Sequence, residues 1–171
     1  MPAPIDLQRF IDEHRELLRP PVGNARVFEE QGFIVMIVGG PNARKDFHVD
    51  EGPELFLQVE GDIVLTVLEG GKRRDVPIRQ GELFLLPPRV PHSPQRPAGT
   101  VGLVVERTRM AGELDVFLWL CDACDHELSR VELPLRDITT ELAPLFAAFW
   151  ADVPRRTCER CGAVLQPPDA A

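Results

Sequence analysis

Short apolar segments separated by glycine and proline turns are the feature that most restricts how this chain can fold. Turn-forming residues occupy 39–42, 60–62, 69–72 and 80–82. The strand-like segments are 26–28, 33–38, 54–60, 62–68, 73–78, 82–86 and 101–106. Many short strands at close intervals, with no helices between them, favour an antiparallel sandwich or barrel over a parallel sheet.

Helical periodicity is confined to the two ends of the chain. Residues 5–18 place apolar side chains near one face of a helix, and the proline pair at 20–21 ends it. Beyond the barrel-like region, 116–120 and 126–132 have the character of strands, and 137–151 is predicted to be helical in its second half. We therefore expect an N-terminal helix and a small helical C-terminal part.

The length and charge of the chain restrict its class. A chain of 171 residues suits one ordinary domain with a small appendage. We predict a barrel domain with its N-terminal helix at 1–110 and a C-terminal extension at 111–171. The formal net charge is −8, and phosphate binding needs a basic face, so nucleic acid is not an expected partner.

A membrane partner is not expected either. No apolar run approaches the roughly 18 residues that cross a bilayer. The first residues lack the basic start and apolar core of a signal peptide. The predicted location is the cytoplasm.

Two histidines and one glutamate form a candidate catalytic metal site. Glu54 follows His48 by six positions, and His92 ends a second stretch that is rich in proline. Two histidines and one carboxylate can hold one face of an octahedral ion, which is the ligand set of non-haem Fe(II) oxygenases. On spacing alone an alternative stays open, in which His48 lies in a solvated loop and His92 is a polar loop residue.

Arginines share strand parity with both histidines. Residues two apart lie on one face of a strand, so Arg44 would accompany His48, and Arg96 would accompany His92. Unpaired buried charge is costly, and a bound ligand would supply the missing partner.

Four cysteines predict a second metal site. The chain carries two Cys-x-x-Cys pairs with residues 125–157 between them, formed by Cys121, Cys124, Cys158 and Cys161. Four thiolates suit tetrahedral Zn(II) or a single rubredoxin-like iron. Such a closed site has no position for substrate, so a structural role is favoured over electron transfer. The cysteines also fit a reducing compartment better as metal ligands than as disulfides.

The residues around the first histidine resemble the first motif of the cupin superfamily. That motif is histidine, one residue, histidine, three residues, glutamate, six residues and glycine. Here His48, Glu54 and Gly61 have the expected spacing, and Asp50 stands where the second histidine would be. The resemblance implies a mainly β fold, a cupin or jelly-roll antiparallel β-barrel.

The second cupin motif is matched in part. Gly81, Pro87 and His92 fall at its glycine, proline and histidine positions. Arg89 replaces a glycine of the motif, and Arg96 replaces its asparagine. The second replacement introduces a cation four positions after a candidate ligand.

These departures resemble one cupin family, the 3-hydroxyanthranilate 3,4-dioxygenases, in their short bacterial form with a rubredoxin-like C-terminal metal site. The likeness runs nearly end to end. Besides the two cysteine pairs, the segments that carry it are 20–24, 38–42, 48–54, 84–88, 92–97 and 104–107.

This resemblance implies an extradiol-type ring opening by Fe(II) and O2, with a small aromatic amino-hydroxy acid as substrate. By family position, Arg44 and Arg96 would bind the substrate carboxylate, and Glu106 would be the general base. Asn24 and Asp46 are weaker candidates for supporting roles around the site. The resemblance also implies a homodimer.

Two other classes of function stay open. The chain could be a non-oxidative cupin, either an isomerase or a protein that binds small carboxylates. It could also be a zinc-ribbon interaction module attached to a degenerate cupin.

Overall fold

The structure is a computed structural model that describes residues 3–20, 23–30 and 32–168. Pro21 and Val22, which carry part of the family resemblance, lie outside the described residues. The helices are α1 (Leu7–His14), a 3-10 helix (Arg15–Leu18), α2 (Ile138–Ala151) and α3 (Val153–Arg156). The strands are β1 (Asn24–Glu30), β2 (Phe33–Gly39), β3 (Asp46–Val49), β4 (Glu54–Glu60), β5 (Ile63–Glu69), β6 (Lys72–Ile78), β7 (Leu83–Leu86), β8 (His92–Gln95), β9 (Val101–Arg107), β10 (Asp115–Leu120) and β11 (Glu127–Leu133).

The strands form two antiparallel sheets that enclose one interior. The first sheet has the order β1-β2-β9-β4-β7, and the second has the order β11-β10-β3-β8-β5-β6. Apolar side chains from both sheets meet between them, including Met36 and Phe56 from the first and Leu65 and Ile78 from the second. The predicted mainly β, antiparallel architecture is confirmed.

Two strands of the second sheet, β3 and β8, are absent from the strand-like segments predicted above. Their sequences are Asp-Phe-His-Val and His-Ser-Pro-Gln, and the first three residues of each are buried. β3 alternates polar and apolar residues but is only four residues long, and its polar residues Asp46 and His48 are buried, whereas β8 shows no such alternation. Both strands carry candidate metal ligands.

The predicted N-terminal helix is confirmed as α1 followed by the 3-10 helix. Ile11 and Leu18 pack with Ala25, Ile37 and Val101 on the outer face of the first sheet. This helical segment therefore covers part of that face, on the side of β1, β2 and β9.

The C-terminal part continues the second sheet and then covers its end. β10 pairs with β3 and with β11, so the sheet extends past residue 110. The predicted division into a barrel domain at 1–110 and an extension at 111–171 stays a prediction. The whole of α2 is helical, beyond the second half that the sequence predicts. Phe149 of α2 stacks on Trp119 of β10, with ring centroids 4.2 Å apart.

No helix in the described part of the chain combines the length and the apolar character that a transmembrane helix needs.

Candidate metal centre

The two sheets contribute different ligands to one cluster. His48 on β3 lies directly opposite His92 on β8, and both belong to the second sheet. Glu54 begins β4 in the first sheet, and its Oε1 lies 3.1 Å from His92 Nε2 and 3.6 Å from His48 Nδ1. All three side chains are buried, and each offers a ligand atom within 4.8 Å of the other two. The structure brings the three predicted ligands together.

The unpaired atoms of this cluster fit a metal ion. Glu54 Oε1 is buried and has no hydrogen-bond partner among the described residues. The far nitrogen of each ring is held, since His92 Nδ1 lies 3.0 Å from the Val90 carbonyl and His48 Nε2 lies 2.7 Å from Asp115 Oδ1. Metal-bound histidines are normally held in this way through their second nitrogen.

The glutamate of the cluster is ionised at neutral pH. Burial acts to raise its pKa, but the neighbouring His92 and His48 outweigh burial and lower the pKa of Glu54 to about 2. A carboxylate and two imidazoles around an unpaired oxygen form a donor set suited to a divalent transition metal.

A cavity of about 500 Å³ opens onto this cluster. It has a polar part and an apolar wall, and the wall includes Phe117, Phe146 and Trp150. Every residue predicted for the catalytic site lines it, namely Asn24, Arg44, Asp46, His48, Glu54, His92, Arg96 and Glu106. This size is typical of small-molecule sites.

The two arginines of the cavity differ in their partners. Arg44 forms a salt bridge with Asp46, so its charge is already balanced. Arg96 is only 4% exposed, and its Nε has no hydrogen-bond partner in the described part of the chain. Burial, together with the charge of Arg44, lowers the pKa of Arg96 to about 10. Arg96 is therefore a buried cation with no paired carboxylate among the residues that the structure describes.

Space for the Arg96 guanidinium depends on a glycine. Arg96 Nη1 donates to Gln58 Oε1 at 3.4 Å. A Cβ at Gly102 of β9 would lie 2.8 Å from each of these two atoms. Only glycine leaves room for this pair against the strand.

Glu106 lies beside the metal cluster. It stands directly opposite Glu54, on neighbouring strands of the first sheet. Burial and the charge of Glu54 raise the pKa of Glu106 to about 7, although Arg109 Nη1 donates to its Oε2 at 2.5 Å. A carboxyl group with this pKa can take up and release a proton near neutral pH.

The four cysteines meet at the far end of the second sheet. Cys121 and Cys124 follow β10, and Cys158 and Cys161 follow α3. Their closest sulfur pairs are 3.5, 3.6 and 3.7 Å apart. Four thiolates bound at 2.3 Å to one tetrahedral ion would be about 3.8 Å apart. The cluster predicted from the cysteine spacing therefore fits a four-thiolate metal site.

Known proteins resemble this chain over nearly its full length. Residues 1–150 match the family model described as 3-hydroxyanthranilic acid dioxygenase. The chain belongs to this family.

Curated relatives named 3-hydroxyanthranilate 3,4-dioxygenase agree. The protein of Xanthomonas oryzae pv. oryzae is 55% identical over 93% of this chain and 90% of its own length. That of Xanthomonas campestris pv. campestris is 52% identical over 97% and 94%. That of Paraburkholderia phytofirmans is 51% identical over 94% and 93%.

Solved structures share the fold. The crystal structure of protein NMB1881 from Neisseria meningitidis has a TM-score of 0.50 and 20% identity, covering 62% of this chain and 100% of that one. This likeness shows that the fold of two antiparallel sheets around one interior also occurs in another protein.

Two residues around the site of this dioxygenase family member were not predicted from the sequence. Asp115, only 1% exposed, holds His48, and Arg109 contacts both Asp115 and Glu106. Asp115 begins the apolar strand β10, and its partner His48 lies 67 positions earlier in the chain, so no local pattern marks its role. Arg109 lies in an irregular segment, where no periodicity marks it.

Replacing Cys121 by serine should remove one metal ion per chain and lower the melting temperature. The reason is that a structural four-thiolate site contributes directly to folding energy. The measurement is metal content by mass spectrometry together with thermal unfolding. Ala123→Ser, in the same loop, is the matched control and should change neither. Loss of the metal at the His48, Glu54 and His92 cluster in folded Cys121→Ser protein would contradict the separation of the two sites.

Proposed function

We propose that this protein is an Fe(II)-dependent dioxygenase that opens the ring of 3-hydroxyanthranilate with O2. Its product would be 2-amino-3-carboxymuconate semialdehyde, which cyclises to quinolinate. The observation that carries the proposal is a single cavity combining a histidine–glutamate–histidine cluster with a buried arginine that has no paired carboxylate among the described residues. The substrate has complementary groups, a hydroxyl–amine pair that can chelate a metal and a carboxylate.

His48, Glu54 and His92 would hold the iron in this proposal. Two imidazoles and one carboxylate occupy three positions of an octahedral ion. Bound Fe(II) supplies open coordination positions and redox chemistry. The residues themselves fix where it sits, since each histidine ring is anchored through its second nitrogen.

Arg96 would bind the substrate carboxylate. A guanidinium pairs with a carboxylate through two parallel hydrogen bonds, which fixes the orientation as well as the position of the ring. Arg44 is the second candidate, and it would first have to share or release Asp46. Asp46 therefore tunes how strongly Arg44 takes part.

Glu106 would act as the general base. It would accept the proton of the substrate hydroxyl and later return it. Its Oε2 already accepts a hydrogen bond from Arg109, which leaves Oε1 to take the proton. The raised pKa of Glu106, about 7, suits this transfer at neutral pH.

The remaining cavity residues would shape the site around the ring. Phe117, Phe146 and Trp150 present apolar surface that excludes water from an aromatic substrate. Asn24 lines the same cavity and would contribute a polar contact.

The four-cysteine site, holding Zn(II) or iron, would be structural. It would join the loop after β10 to the segment that follows α3, and α2, which lines the cavity, lies between them in the chain. Because this closed site offers no position for substrate, Cys121→Ser protein that stays folded should turn over at a near-normal rate. Reduced cysteines of this kind also support a cytoplasmic location.

A homodimer is the proposed assembly. The outer face of the first sheet is covered by α1 on one side only. On its other side Leu83 and Leu85 of the edge strand β7 are 65% and 63% exposed, opposite Leu57 and Leu55 of β4. Exposed apolar surface of this kind is typical of protein–protein contacts.

Iron-loaded protein should consume O2 and form product together when 3-hydroxyanthranilate is added in air. After anaerobic loading with Fe(II), an oxygen electrode follows O2 uptake and near-UV absorbance follows product formation. His48→Ala and Glu54→Ala should abolish both signals, because each removes a ligand. Glu51→Ala, which removes a nearby carboxylate paired with Arg89 outside the cluster, should retain them. No O2 uptake by verified iron-loaded protein would favour a non-oxidative cupin.

Arg96→Lys should raise KM for 3-hydroxyanthranilate by roughly 10- to 100-fold, the range expected for one or two charged hydrogen bonds. Lysine keeps the charge but cannot form the bidentate pair. Steady-state kinetics should also show little change for 2-aminophenol, which lacks the carboxylate. Arg79→Lys, at an exposed site, is the control. An unchanged KM for the acid in Arg96→Lys protein would remove Arg96 from substrate binding.

Replacing Leu83 and Leu85 together by glutamate should convert the dimer to a monomer, because charges would have to be buried in an apolar interface. Size-exclusion chromatography with light scattering measures the mass. Val153→Glu, at an exposed apolar position on α3, should leave the mass unchanged. A doubly substituted protein that remains dimeric would place the interface elsewhere.

A further inference from the structure

One guanidinium lies among three buried carboxylates next to the metal cluster. Arg109 follows β9, and its side chain is 11% exposed. Asp50, Glu106 and Asp115 surround it, and all three are buried. Of these residues, the function proposed above uses only Glu106.

The first set of contacts leads to a candidate metal ligand. Arg109 Nη2 donates to Asp115 Oδ1 at 2.7 Å, and its Nε lies 3.1 Å from Oδ2 of the same carboxylate. Asp115 Oδ1 in turn lies 2.7 Å from His48 Nε2. The ring of His48 also stacks on Phe117, two residues after Asp115 on β10. Arg109 therefore holds the carboxylate that orients His48.

The second set of contacts leads to the candidate base. Arg109 Nη1 donates to Glu106 Oε2 at 2.5 Å. Asp50 Oδ2 lies 3.1 Å from Arg109 Nη2 and adds an ion pair on the remaining side. The guanidinium of Arg109 thus holds Asp115 through Nε and Nη2, and it holds Glu106 through Nη1.

We propose that Arg109 is a positioning residue that sets the His48 ring and the Glu106 carboxylate in one geometry. This inference deepens the function proposed above and rests on it. A movement of Arg109 would displace a metal ligand and the base together. Arginine is required because only its rigid fork of donors can engage two carboxylates at fixed angles, whereas a lysine ammonium is a single point charge.

The test uses full-length protein and two readouts, of which the first needs no substrate. Protein that carries Zn(II) at the four-cysteine site and no metal at the His48, Glu54 and His92 cluster is titrated with Co(II), and the visible absorption bands report affinity and ligand geometry at that cluster. Iron-saturated protein is then assayed for kcat and KM. The variants are Arg109→Lys and Asp115→Asn. The second variant changes only the carboxylate that orients His48. Arg107→Lys is the matched control, because Arg107 makes a similar two-point pair with Glu113 that does not reach the cluster.

Arg109→Lys should bind Co(II) about 10- to 100-fold more weakly, as is usual when a group behind a metal ligand is changed. Its kcat should also fall at saturating iron, with KM little changed. Asp115→Asn should weaken Co(II) binding to a similar degree, with a smaller loss of kcat once iron is saturating. Arg107→Lys should match the wild type in both readouts.

Wild-type Co(II) affinity and spectrum in folded Arg109→Lys protein would overturn the inference. If that variant does not fold, wild-type Co(II) affinity in Asp115→Asn protein would overturn it equally. A wild-type protein that shows no turnover of 3-hydroxyanthranilate would refute the proposed function instead. The Co(II) comparison would still decide whether Arg109 positions His48.

Discussion

The meeting of one carboxylate with two imidazoles across the interior is the constraint on which the rest of the structure depends. Glu54 comes from one sheet and His48 and His92 come from the other, so the ligands converge only when the two sheets face each other. Burying these groups is costly unless they are paired. The surrounding carboxylates and arginines provide this pairing, and the cavity opens onto the cluster that they surround.

The interior is divided into an apolar part and a charged part. Met36, Phe56 and Leu65 belong to the apolar cluster between the sheets. The charged part contains Glu54 and Glu106 on neighbouring strands, with Arg109 as the cation that approaches Glu106 most closely. An excess of carboxylates over cations near the ligand set favours a bound divalent cation. Burial, together with the charge of Glu54, raises the pKa of Glu106 beside this ligand set.

The parts of the fold that follow local periodicity could be predicted from the sequence. β4 and β5 alternate apolar and polar residues, and α1 has helical spacing, so each was predictable from its own residues. β3 and β8 were not, because each is only four residues long and buries polar side chains of the site, with Phe47 of β3 packing in the core. The four cysteines were predictable, since metal-ligand spacing is local within each pair.

Asp115 and Arg109 could not be assigned in this way. Asp115 reaches His48 only because β10 pairs with β3. The two residues are 67 positions apart in the sequence. Arg109 takes its role from Asp115 and Glu106 together. Such roles depend on tertiary contacts that no local pattern encodes.

Gly102 carries a consequence for substrate selection. The guanidinium of Arg96 fits because β9 presents no side chain at that position. If Arg96 binds the substrate carboxylate as proposed, selection of a carboxylated ring over an uncharged aminophenol would rest on empty volume as much as on a positive charge. A single methyl group there would displace the guanidinium while leaving all three metal ligands in place. A substitution at Gly102, which is not among the residues lining the cavity, would thus act on the proposed carboxylate site and not on the metal ligands.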